Sequence, residues 1–301
     1  MPAGGNESEE PSPVELTNQE IEDERRRGRI AGIAALGGVV IFIISMATLA
    51  TDFNAADQAE QLRTFDSIKS DLLIQVLLQA LAVLLFIPAL VSLFRSIRER
   101  SEAMRPGLIG IVIAAPVLLA ASLVVTYFAF KTAADAFLDP SADVDTNSND
   151  DADNVFYDQF PTQLRTGFGL AGSLGLAFVT VYLSLHAMRT GLMTRFWGTL
   201  AMALGIGTLL FGSLMLLAYM IVIGLLVAAV WPGTRPPAWE AGKAIPWPAP
   251  GRPGDAEAKE PELAAPEDFE GSATEVEPAS APADDASGSG TPRKRKRKQR
   301  G

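Results

Sequence analysis

Five long stretches of this chain contain no Asp, Glu, Lys or Arg, and they restrict its possible folds more than any other feature. They run over residues 30–51, 72–94, 107–130, 167–188 and 196–231. An α-helix rises about 1.5 Å per residue, so about 20 apolar residues cross a hydrocarbon core about 30 Å thick. Apolar residues surround each block instead of forming the single stripe of a soluble helix. The expected fold is therefore all-α, a polytopic transmembrane helical bundle. The formal charge of −10 sits largely in the ends and connecting segments, so it gives no guide to a soluble partner. With no cysteine, the chain has no disulfides, thiolate metal sites or cysteine nucleophiles. Charged groups within spans would mark proton relays or ion pathways, and these blocks carry none.

The last block holds 36 residues. One straight helix of that length would measure about 54 Å and need a tilt beyond the usual range of about 0–40°. Two helices of about 17 residues, turning at Gly212-Ser213, fit better. Six spans are preferred: 30–51, 72–94, 107–130, 167–188, 196–212 and 213–231. A five-span arrangement, with 196–231 as one long bent helix, stays open. Arg25, Arg26, Arg27, Arg29, Arg95, Arg98, Arg100, Arg105, Arg189 and Arg195 fall on one side of this arrangement. Arg63, Lys69, Lys131 and Arg165 fall on the other. Short basic loops favour the cytoplasm, which places the N-terminus inside and, with six spans, the C-terminus inside too. The first block follows 29 polar residues and exceeds a signal-peptide core in length, so it reads as an uncleaved span.

Residues 1–29 are expected to be a disordered acidic tail. Residues 232–301 are expected to be a disordered Pro-rich and acidic tail with a basic tip. Trp231, Trp239 and Trp247 suit the headgroup level, where indole is favoured. The tip carries Arg293, Lys294, Arg295, Lys296, Arg297, Lys298 and Arg300. Besides neutralising the acids before it, such a cluster suits anionic lipid or RNA phosphates. Phe53, Ala56, Ala59, Leu62, Phe65, Ile68 and Leu72 recur at helical spacing, predicting an amphipathic helix on the outer surface or leading into span two. The outer loop from Asp143 reads DVDTNSNDDADN. It lacks the position-6 Gly and position-12 Glu of a calcium-binding EF-hand loop, which makes solvated turns the better reading.

Gly167, Gly169 and Gly172 match G-x-G-x-x-G, but they lie within a span, without the strand that a dinucleotide site requires. Spacing favours helix packing instead, through Gly167, Ala171 and Gly175 and through Gly28 and Gly32, with an oligomer through such faces as a further option. Gln75, Gln79, Thr126 and Tyr127 lie at similar depth in spans two and three. They form a candidate polar patch, either bonding between helices or lining a small outward-facing pocket. Pro88 and Pro116 are candidate kinks. His186 stands alone and cannot build a multi-ligand metal site. No catalytic, cofactor-binding or metal-binding set is expected.

WPGTRPPAWEAG, starting at Trp231, together with Ile245-Pro-Trp-Pro and Gly191-Leu-Met-Thr-Arg195, resembles a family of uncharacterised actinobacterial multi-pass membrane proteins. That resemblance implies six spans and a bacterial plasma membrane, and it brings no activity. Two functions follow as expectations. One is a non-enzymatic accessory, scaffold or envelope-associated protein. The other is a small transporter or permease for a neutral or lipid-like substrate, using Gln75 and Gln79.

Overall fold

Every apolar block forms a helix, and short polar side chains set where several of them begin. The computed structural model describes residues 16–47, 56–141, 144–231 and 235–247. Its helices are α1 (Asn18–Met46), α2 (Gln58–Leu84), α3 (Ile87–Arg98), α4 (Ile109–Phe137) and α5 (Asn149–Asp158). They continue with α6 (Phe160–Arg189), α7 (Arg195–Phe211), α8 (Ser213–Val227) and the single turn α9 (Ala238–Ala241). The described residues contain no strand. Thr17 and Glu20 form a reciprocal capping box at α1, which satisfies two otherwise unpaired amide donors. Asp57, Ser148 and Thr194 cap α2, α5 and α7 through side-chain oxygens.

The capping box corrects the N-terminal expectation. Residues 18–29 are the first turns of α1 and not a disordered tail, while 1–15 lie outside the described residues. The predicted amphipathic segment likewise runs into span two as one helix, α2.

Six helices pack in chain order. The pairs α1–α2, α2–α4, α4–α6, α6–α7 and α7–α8 are in contact, and α8 closes the ring against α1. Pro88 governs the middle of that ring. Lacking an amide hydrogen, it cannot continue the α2 hydrogen-bond ladder, and the helix breaks at Leu85 and Phe86. The following α3 contacts α1, α4, α6 and α8, with Leu90, Leu93, Phe94 and Ile97 fully buried. It fills one end of the bundle. Pro116, by contrast, lies within a continuous α4.

Trp197, at the start of α7, meets Trp231, just beyond α8, with ring centroids 5.0 Å apart. The chain therefore reverses at Gly212, whose φ of +61° favours a residue without a side chain. α7 and α8 are a hairpin and not one long bent helix. Their 17 and 15 residues give legs of about 25 and 22 Å, short of a full hydrocarbon core. Leu210, Phe211 and Leu214 at the apex are exposed and apolar, as a lipid-facing tip requires.

The two ends of the bundle differ in charge. Arg25 to Arg29, Arg95 to Arg105, Arg189 and Arg195 mark a basic end. At the opposite, acidic end, α2 and α4 extend beyond the hairpin and pack with α5 around a second core of Leu62, Phe65, Ala133, Phe137 and Phe156.

The segment after Trp231 also departs from expectation over residues 235–247. Trp239 is buried and donates from its indole nitrogen to the Leu192 carbonyl at 2.8 Å. Trp247 donates to the Met193 carbonyl at 2.9 Å. The Ile245 amide donates to Thr190 O, and the Leu16 amide to Gly242 O. Indole N–H groups seek partners when buried, and here loop carbonyls at the basic end supply them in place of headgroups. This stretch is a cap on the basic end. The basic tip, from Arg293 to Arg300, lies outside the described residues.

Candidate functional site

Gln75, Gln79 and Thr126 converge on one cavity of about 520 Å³ at the acidic end, joined there by Arg165. Gln75 and Gln79 stand one turn apart on α2. Thr126 comes from α4, and Arg165 from the second turn of α6. Leu72, Val76, Leu123 and Phe130 supply apolar walls.

The expected bonds between helices are largely absent. Among the described residues, neither glutamine amide has a hydrogen-bond partner, although Gln75 is buried. The Thr126 hydroxyl donates to the Ser122 carbonyl of its own helix at 2.9 Å and accepts from Arg165 Nε at 3.1 Å. Gln79 is half-buried, and both amides border the cavity, where they can bond a polar occupant or water. Tyr127 does not join the patch. It points toward Phe65, with ring centroids 5.9 Å apart, because one residue of rotation turns it off the cavity-facing side of α4.

Arg165 is the member that residue spacing did not single out. Among the described residues it has no carboxylate within ion-pair distance. Its signal lay in the step of four along α6. Gly169 approaches Ser122, and Ser173 lines a second cavity below. Arg165 shares that helix face.

The second cavity, of about 230 Å³, is mostly apolar and reaches the hairpin apex at Gly212 and Ser213. Leu123 is a wall of both cavities. The two are stacked along the same helices: Met46 above Phe42 on α1, Gln79 above Val83 on α2, and Thr126 above Leu119 on α4. The second cavity lies about 10 Å nearer the basic end along α4.

The glycine stripes separate into one that packs and one that does not do so as expected. At Gly32, an added Cβ would stand 2.4 Å from the Ala228 amide nitrogen, and at Gly28, 2.9 Å from the Val227 carbonyl oxygen. α1 and α8 therefore touch backbone to backbone, as small residues allow. On α6, Gly167 has open space around it, and Ala171 is exposed. Gly172, against Leu119, and Gly175, against Ala115, make the close approach to α4. Of the expected stripe only Gly175 packs, and Gly172 takes the place of Gly167 and Ala171. Gly32→Leu should destabilise the protein by about 1–3 kcal/mol in a thermal-unfolding assay, since backbone cannot move aside. Gly167→Leu should leave the same midpoint unchanged. Equal midpoints for the two variants would contradict the contact at Gly32.

The acidic outer loop uses its side chains as caps. Asn149 accepts from the Ala59 amide and donates to Asp57, Asn147 accepts from Arg63, and Asp145 accepts from the Asn147 amide. The Asn149 contact, followed by the Glu60 amide, lowers the pKa of Asp57. His186 is buried, with Nδ1 3.0 Å from the Tyr182 carbonyl and its ring against Tyr182.

At the basic end, Glu24 and Arg100 form a buried bidentate ion pair with distances of 2.9 and 2.8 Å. Arg100 also donates to the Ala238 and Ser96 carbonyls. Arg235 lies 4.1 Å above the Trp239 ring, and burial lowers its pKa to about 10. A cavity of about 300 Å³ beside this pair holds Arg27, Arg95 and Glu99, whose carboxyl is raised by burial and then by Glu24. Both signs of charge line it.

These features define a polytopic α-helical membrane protein with a pocket set between its helices. The chain belongs to the family described as a domain of unknown function, DUF4386, whose model matches residues 30–240. That match takes in the apolar part of the chain and the first residues of the cap. No curated protein and no solved structure matches the chain.

Proposed function

We propose that this chain is a non-enzymatic protein of a bacterial plasma membrane that binds a small polar or lipid-like molecule in the Gln75/Gln79 cavity. The single observation that supports this reading is the pair of glutamine amides facing a cavity without protein partners. Ligand sites characteristically combine apolar walls with a few convergent polar groups, as here. In this reading the basic end faces the cytoplasm, and the α7–α8 hairpin supplies the fifth and sixth spans. The cavity then faces outward, where it can receive a molecule from the external medium or outer leaflet. A permease or a lipid-handling accessory protein would use it in the same way. A scaffold role through the basic tip rests on residues outside those described, so the cavity carries the argument further.

The test is native mass spectrometry of the full chain, extracted from its own membrane in mild detergent. The wild type should retain a small-molecule adduct, and Gln75→Leu with Gln79→Leu should lose most of it while remaining monodisperse. An adduct equally abundant on both, or absent from the wild type, would contradict this function.

A further inference from the structure

We propose that the two stacked cavities together bind one single-chain anionic amphiphile, its headgroup at Arg165, Gln75 and Gln79 and its chain running past Leu123 toward Gly212. The inference rests on the binding reading above and adds the class of ligand. Three independent features agree on that class.

The first is charge. A guanidinium presents five donors in a planar fork, and here Nε is used on Thr126 while the remaining nitrogens have no carboxylate among the described residues. A bidentate carboxylate or phosphate is the partner such a fork fits best. The glutamine amides add further donors from the facing helix. Second, polarity divides along the axis. The upper cavity sets Gln61, Gln75, Gln79, Thr126 and Arg165 among apolar walls, whereas the lower has no charged or amide side chain, only the hydroxyls of Ser173, Thr208 and Ser213 among apolar ones. A molecule with one charged end and one apolar end satisfies both parts at once. Third, the floor is short. The hairpin stops below the ends of α4 and α6, leaving a lower cavity bounded by its apex at Gly212 and Ser213 and sharing Leu123 with the upper one. The lower volume of about 230 Å³ favours one chain over two.

Radiolabelled palmitate, hexadecyl phosphate and hexadecanol, which share chain length and differ in headgroup, test this on the purified full chain in detergent. The wild type should bind one or both anions at least tenfold more tightly than the alcohol. The preferred anion then separates a fatty-acid-like from a phosphate-bearing ligand. Arg165→Gln should remove that preference, with elution as a single monodisperse peak reporting an intact fold. Arg165→Lys, keeping the charge without the fork, should retain part of the preference. Leu123→Trp, filling the wall between the cavities, should weaken all three probes several-fold. Equal binding of anions and alcohol by the wild type, or an unchanged preference in Arg165→Gln, would overturn the proposal. If none of the probes binds while the glutamine-dependent adduct persists, the cavity reading stands and the amphiphile falls. Loss of both removes both.

Discussion

Arg100→Ala is expected to lower stability by about 3–5 kcal/mol, the largest effect of any single substitution in this protein. The side chain is fully buried and makes four hydrogen bonds, two of them to Glu24. Removing it strands the Glu24 carboxylate inside the basic end, and an uncompensated buried charge costs far more than the intact pair contributes. The four bonds also join α1, the end of α3 and the cap. Their loss should therefore be felt across elements 76 and 138 residues apart in sequence. Replacing both partners, Glu24→Leu with Arg100→Met, should recover most of the loss, because no charge is then left alone. Thermal unfolding in detergent of the wild type, both single variants and the double variant measures the coupling. A fall of less than about 1 kcal/mol for Arg100→Ala would mean that this pair is solvated after all.

Trp239→Ala should cost nearly as much, about 3–5 kcal/mol, through a cavity at the centre of the cap. The indole is buried, bonded to Leu192 O, and flanked by Arg235 at 4.1 Å and Arg100 at 5.7 Å. Trp239→Phe keeps much of the volume and loses the hydrogen bond, so about 1 kcal/mol is expected for that variant. Limited trypsin digestion provides a local readout at Lys243, four residues beyond the indole. Cleavage there should accelerate strongly in Trp239→Ala and little in Trp239→Phe. Unchanged digestion of the alanine variant would show that the cap holds without its tryptophan.

The parts of this fold that the sequence made legible are those that depend on composition and on single strong residues. Uncharged blocks reported the spans, an overlong block with Gly212 at its middle reported the hairpin, and depth counting placed Gln75, Gln79 and Thr126 together. Rotation was harder. A helix apolar on all sides carries little information about which face is inward, so Tyr127 was grouped with Thr126, and Gly167 and Ala171 with Gly175. Gly32 was legible because its partner stripe lies at the same spacing on one face of α1. Long-range pairs were not legible at all. Nothing near Glu24 announces Arg100, and proline density after Trp231 concealed a segment held by indole-to-carbonyl bonds. Arg165 was read as one of a few bases in an acidic region. Its role depends on which helix face it shares, and Gly169 and Ser173 carried that signal.

The hairpin bears on how the protein is made. Its two legs begin and end at the same end of the bundle, and the turn between them is Gly212, flanked by Phe211 and Ser213 and without a charged residue. No hydrophilic loop has to be carried through the hydrocarbon when this pair enters. Neither leg reaches a full hydrocarbon thickness alone, so the pair enters the bilayer as one unit. α8 then meets the glycines of α1, so the ring closes through a contact between helices far apart in the chain.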